Sequence, residues 1–176
     1  SDLGIAALDT GTGLATSFNP NANGQSLTVA LSSDGSTLYA GGSFTSVGGA
    51  GRRMVAAFNT LTNTVTAFDP VNTNAGVYAL AVSSDGNLLY VAGDFNSIGG
   101  AGRNYLAALD TVTGNATAFN PSPDGTSIYA LALSPDDSTL YVAGDLAGEV
   151  VSYVGAFDTT TGLTTSFDPG ANSTVW

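Results

Sequence analysis

Cysteine, histidine and lysine are all absent from the 176 residues. Their absence removes a Ser–His–Asp triad, a Cys–His pair, a lysine Schiff base and an ordinary zinc site together. Positive charge is scarce as well. Three arginines, Arg52, Arg53 and Arg103, stand against thirteen aspartates and one glutamate, for a formal net charge of −11. Such a chain repels phosphate backbones and anionic lipid, and three arginines cannot form a basic stripe, which excludes nucleic acid as a partner. No apolar run approaches the roughly 18–20 residues that cross a bilayer as a helix, and the opening residues carry no charged n-region or apolar h-region. Charged residues make up only 10% of the chain, yet 43% are apolar, enough to bury a core.

What is abundant is turn chemistry. The 23 glycines and 40 serines and threonines point to an all-β chain rich in turns. Self-similarity is plain: A-A-L-D-T-G-T-G from Ala6 returns from Ala56, Ala107 and Gly155, at offsets of 50, 51 and 48. A second marker, S-S-D-G at Ser32 and Ser83 and S-P-D-D at Ser134, recurs every 51 residues, and F-[ND]-P falls at Phe18, Phe68, Phe119 and Phe167. Each unit of about 50 residues divides into four short apolar runs separated by Gly, Pro, Asn, Asp and Ser. In the second unit these are Val77–Ser83, Leu88–Phe95, Asn104–Asp110 and Asn115–Phe119. The first run, V-Y-A-L-A-V, reads as a strand buried on both faces, and the polar fourth reads as an edge strand.

Four antiparallel strands repeated at this period, graded from buried to polar, are the sequence form of a β-propeller blade. The competing parallel β-helix would lack the hairpin signals S-S-D-G and D-T-x-T-G. The expectation is one β-propeller segment over 1–176 with about three and a half blades: a half blade at 4–18, blades at about 26–69, 77–120 and 127–168, and the start of another at 173–176. Open blade faces at both ends would then need a neighbour, either further blades of a longer protein or other copies in a ring or filament.

The string G-G-S-F-T-S-V-G-G-A-G-R-R-M-V-A-A-F-N, with T-A-F-D-P and Y-A-L-A-V-S-S-D-G after it, resembles the delta-60 repeats of bacterial secreted and surface proteins. T-N-T-V-T-A and S-S-D-G-N-L-L-Y-V-A-G are more distantly similar to the Tyr-Val-Thr-Asn propeller repeats of archaeal surface-layer proteins. The resemblance implies a prokaryotic extracellular or cell-surface propeller used for scaffolding or adhesion, with no shared catalytic motif. The third unit departs from it, because L-A-G-E-V-V-S at Leu146–Ser152 replaces the glycine loop and its arginine.

Candidate sites follow from the few reactive residue types present. Asp34, Asp85 and Asp136, like Asp9, Asp110 and Asp158, sit in turns where aspartate caps its own backbone; as hard oxygen ligands they are also the only basis for Ca2+. Asp94 and Asp145 take the place of Ser43 at the ends of second strands, where paired carboxylates could share a rim pocket. Arg52 and Arg103, beside the glycine loops, pair with aspartate or loop carbonyls, or else recognise an anion or sugar with Tyr105 and Tyr153 as stacking surfaces. Ile5, Leu8, Phe18, Val175 and Trp176 are the expected assembly contacts, and Asn115 and Asn172 open N-x-[ST] glycosylation sequons. The functional expectation is a non-enzymatic, cofactor-free structural or adhesive scaffold that self-associates. The alternative is a glycan- or Ca2+-binding module.

Overall fold

In the computed structural model, which describes residues 4–147, 152–171 and 173, local turn chemistry sets the strand order. Asp34 Oδ1 accepts hydrogen bonds from the Ser32 hydroxyl at 2.6 Å and the Ser36 amide at 2.9 Å, and Gly35 takes a left-handed φ of 71°. This Asx-capped turn lays β1 (Ser26–Leu31) antiparallel on β2 (Thr37–Gly42). Gly48 and Gly49, both at positive φ, fold β3 (Ser46–Val47) onto β4 (Ala50–Gly51). The chain returns as β5 (Val55–Asn59) and β6 (Thr64–Val65), giving a first sheet of order β1-β2-β5-β6 with polar β6 at its edge.

The same moves recur further on. An Asp85 turn joins β7 (Val77–Val82) to β8 (Leu88–Gly93), Gly99 and Gly100 fold β9 (Ser97–Ile98) onto β10 (Ala101–Gly102), and β11 (Leu106–Asp110) returns along β8. A third sheet holds β12 (Gly125–Leu133), β13 (Thr139–Ala147) and β14 (Ser152–Asp158). Met54, Tyr105 and Tyr153 enter the third strands of their sheets with φ of 63–65°, a region bulky residues rarely occupy. Its presence in all three of the larger sheets marks it as architectural.

The expected propeller of four-stranded blades does not form. Among the described residues there are five separate antiparallel sheets, one of four strands, two of three and two of two, and none closes. Among the described residues only β6 makes a fourth strand; in the two three-stranded sheets the corresponding run shrinks to the single bridges Leu109–Ala116 and Phe157–Thr164. The cause is local: the hydroxyls of Thr66, Thr117 and Thr165 accept the amides of Phe68, Phe119 and Phe167 at 3.2–3.3 Å, turning the chain away after one or two paired residues. The glycine loops separate as hairpins of their own. The sequence period therefore marks recurring turns and does not carry the assignment of a propeller or a repeat protein.

Apolar side chains from neighbouring sheets pack into shared clusters. Tyr39, Val55 and Phe68 of the first sheet meet Leu80, Leu89 and Leu109 of the second, and Tyr90, Leu106 and Phe119 of the second meet Ile128, Leu140 and Phe157 of the third. Turn hydroxyls tie the same sheets along one rim: Ser33 donates to the Ser84 carbonyl at 2.8 Å, and Ser84 donates through its amide and hydroxyl to Asp137 at 2.8 and 2.6 Å.

Two glycines separate backbone strain from crowding. Gly86 has φ 74° and open space where a Cβ would stand, whereas at Gly99, φ 59°, a Cβ would meet the Ala116 amide nitrogen at 2.5 Å. Gly86→Ala is expected to cost about 1–2 kcal/mol from the left-handed backbone alone. Gly99→Ala is expected to cost more, because it also disturbs the Leu109–Ala116 bridge. Urea midpoints of the two variants check the order.

Candidate functional site

Six aspartates are spoken for by their own turns. The Ser32 hydroxyl and Ser36 amide hold Asp34 down to about 2, and the Ser134 hydroxyl and Ser138 amide do the same for Asp136. Asp9, Asp110 and Asp158 are lowered by Thr12, Thr113 and Thr161, whose hydroxyls and amides they bind at 2.7–2.8 Å. Asp94 accepts the Tyr78 hydroxyl at 2.9 Å, while Asp145 accepts the Thr126 hydroxyl at 2.7 Å. These two carboxylates are thus engaged separately by the first strands of different sheets. Tyr78 stacks on Tyr129 with centroids 5.6 Å apart, and its phenol is pushed up to about 12, mainly by burial and then by Asp94. Among the described residues no group of three or more His, Cys, Asp or Glu gathers to hold a metal.

The arginines divide by role. Arg52 donates to the Gly51 and Thr66 carbonyls, each at 2.9 Å, and lies 3.5 Å from Asp69; Arg103 donates to Gly102 and Thr117 at 2.8 and 2.6 Å. Both strap a glycine hairpin to the run that follows the third strand. Arg53 is exposed and lines a cleft of about 960 Å³ between the first and second sheets, with Thr45, Asp69, Asn72, Asn74 and Ser97. Sequence reasoning singled out Arg52 and Arg103 and passed over Arg53, although Asn104 at the corresponding place in the next unit was a visible difference. Tyr105 packs against the second core cluster and Tyr153 is half-buried.

The expected assembly residues are scattered. Ile5 is half-buried beside β1, Leu8 is exposed and bridges Ala15, and Phe18 is buried edge-to-face on Phe58 at 5.6 Å. Val175, Trp176 and Asn172 lie outside the described residues. Asn115 is exposed in its turn.

A different surface stands out once corresponding aromatic pairs are compared. Tyr39–Phe68, Tyr90–Phe119 and Tyr141–Phe167 all meet edge to face, at 5.5, 5.6 and 5.2 Å. The first two pairs are buried between sheets, at 4% and 4% and at 2% and 7% exposure, but the third is uncovered, at 37% and 41%. On the first sheet, Leu27, Val29 and Leu31 of β1 are likewise exposed on one face. The molecule therefore presents two bare apolar faces, at its first and third sheets. The signal was legible in L-Y-V-A-G and F-D-P, but exposure depends on what packs against each sheet, which no local string records.

No family model and no curated protein matches the chain. A solved structure of Kuenenia stuttgartiensis Hydrazine Synthase is similar to it, with TM-score 0.55 and 22% identity over 90% of this chain and 38% of that one. The chain thus spans well under half of that relative, and at this identity the likeness is one of fold. The resemblance to delta-60 and Tyr-Val-Thr-Asn repeats is overturned: the findings describe an all-β domain of five small antiparallel sheets, none closed into a barrel, and support no propeller or repeat family.

Because the folded state favours the neutral Tyr78 phenol, its stabilising effect is complete below the usual tyrosine range and is lost as pH rises through about 12. The difference between wild-type and Tyr78→Phe absorbance titrations at about 295 nm should show this late phenol, and Asp94→Asn should move its midpoint down.

Proposed function

We propose that this chain is a non-enzymatic structural or adhesive scaffold of a prokaryotic cell surface, working by association with copies of itself or with further parts of a longer protein. The observation that carries the reading is the Tyr141–Phe167 pair, uncovered on the third sheet although the same pair is buried on the first two. Contiguous apolar surface of this kind is a mark of interaction sites. The chemistry left to the chain also favours the reading. With no His, Cys or Lys, an enzyme would have to rely on carboxylates, and six of these are engaged in capping turns. Ser, Thr, Asn and Asp suit a water-facing surface, and three arginines with no lysine leave few sites for trypsin-like proteases. The likeness to Hydrazine Synthase is one of fold and lends no activity to this reading.

Sedimentation velocity over a range of concentrations, without added ligand, tests it. Mass should rise with concentration above the 17.5 kDa of one chain; a single 17.5 kDa species throughout removes self-association.

The open cleft favours a second reading, a glycan-binding module. Arg53 has no ion pair among the described residues and shares the cleft with Asn, Thr and Ser, the donors and acceptors a sugar ring needs, and with Asp69, which Arg52 approaches at 3.5 Å. On this reading an acidic sugar raises the unfolding temperature of the wild type and leaves that of Arg53→Ala unchanged. Equal shifts in both proteins, or none in either, count against it.

A further inference from the structure

Each internal junction has a giving face and a receiving face. At the first, Tyr39 and Phe68 are received by Leu80, Leu89 and Leu109; at the second, Tyr90 and Phe119 are received by Leu131, Leu140 and Phe157. A threonine hydroxyl stands beside each phenol: Thr111 beside Tyr39, and Thr159 beside Tyr90. Those threonine hydroxyls in turn donate to the Gly86 and Asp137 carbonyls at 2.8 and 2.6 Å.

The chain also carries one giving face that none of the described residues receives, Tyr141 with Phe167, and one receiving face that is half covered. On the first sheet the inner half of the seat is Val29 and Leu31, both exposed, with Thr60 donating to the Gly35 carbonyl at 2.7 Å just as Thr111 does to Gly86. The outer half is filled in cis. Phe18 packs on Phe58, where on the second sheet Phe68 meets Leu109.

We propose, resting on the self-association reading above, that copies of this chain join head to tail. The third sheet of one copy seats on the first sheet of the next, Tyr141 and Phe167 covering its seat, while residues 4–18 give way. The exchange is close to balanced because the two segments are alike. One has the Leu8–Ala15 bridge and the Asp9 turn, the other the Phe157–Thr164 bridge and the Asp158 turn, and Phe167 takes the place of Phe18. The net gain is the inner half: Tyr141, Val29 and Leu31 leave water. One contact is missing. Pro135 stands where Ser84 donates to Asp137, and proline has neither amide hydrogen nor hydroxyl, so this junction is weaker than the internal ones. Because the two faces differ, the contact is heterologous and adds copies in one direction unless the geometry closes a ring. Residues 4–18 act as a brake, lowering the apparent affinity by the fraction of molecules in which they have let go.

Complementation tests this in the full-length chain. Val29→Asp blocks the receiving face and Tyr141→Asp the giving face; both positions are exposed, and circular dichroism with thermal unfolding confirms that each variant is folded. By sedimentation velocity each variant alone should be a monomer where the wild type associates, and an equimolar mixture should pair and stop at two copies, since each partner keeps one live face. If wild type associates and either variant alone does so equally well, head-to-tail docking is overturned while self-association stands. A mixture that stays monomeric also overturns it. Phe18→Ser should tighten association about tenfold by loosening the brake, and Tyr141→Asp should abolish that gain. Weaker association of Phe18→Ser would make residues 4–18 part of the contact and overturn the displacement. Monomers from both wild type and Phe18→Ser at every concentration would remove this inference and the self-association reading together.

Discussion

The edge-to-face meeting of a tyrosine on a second strand with the phenylalanine that ends the next run is the contact on which the sheet packing depends. Neither ring is near the other in sequence: Tyr39 and Phe68 are joined only because β2 pairs with β5 and the chain then turns back. Aromatic pairs of this geometry add about 0.5–1.5 kcal/mol beyond the area they bury. Their larger role is to present a flat apolar face with one hydroxyl at its rim. At the two internal junctions Thr111 and Thr159 stand beside that hydroxyl as its polar neighbours across the junction. Registration of successive sheets then follows from this ring pair together with the rim bonds of Ser33 and Ser84.

Turn capping supplies the second constraint and explains the acidic composition. Six aspartates close turns by accepting hydroxyl and amide hydrogens, which only the ionised form does fully, so each carboxyl is held below its ordinary range. Their negative charge is thus part of how strands connect. The arginines neutralise little of it. Arg52 and Arg103 spend their guanidinium donors mainly on backbone carbonyls, which fixes the glycine hairpins against the runs beyond them.

Strand positions were legible because turns announce themselves locally. The runs read as Val77–Ser83 and Leu88–Phe95 become Val77–Val82 and Leu88–Gly93, since S-S-D-G and the exit glycine fix both ends. The fourth run was misread because Thr66, Thr117 and Thr165 compete for the backbone in a way that Asn115–Phe119 does not advertise. That error, compounded by the period, produced the propeller. Left-handed Met54, Tyr105 and Tyr153 were also invisible, because nothing in a bulky side chain signals positive φ. The candidate surface fared worst. Phe18 and Phe167 are the same residue in the same F-[ND]-P string, yet one is buried and the other open, because burial is settled by the neighbouring sheet.

Apolar faces and acidic charge pull against each other in any encounter between copies. With a net charge of −11 and two of three arginines already tied to carbonyls, two molecules approach as like charges. Screening confines that repulsion to about 8 Å at physiological ionic strength. The uncovered side chains themselves, Tyr141, Phe167, Leu27, Val29 and Leu31, carry no ionised group. Repulsion therefore slows approach and suppresses wrong orientations, in which acidic turns face one another, while these side chains, once in contact, carry no charge to desolvate. If copies associate as proposed, an acidic shell with two bare faces specifies where one attaches by making every other surface unfavourable.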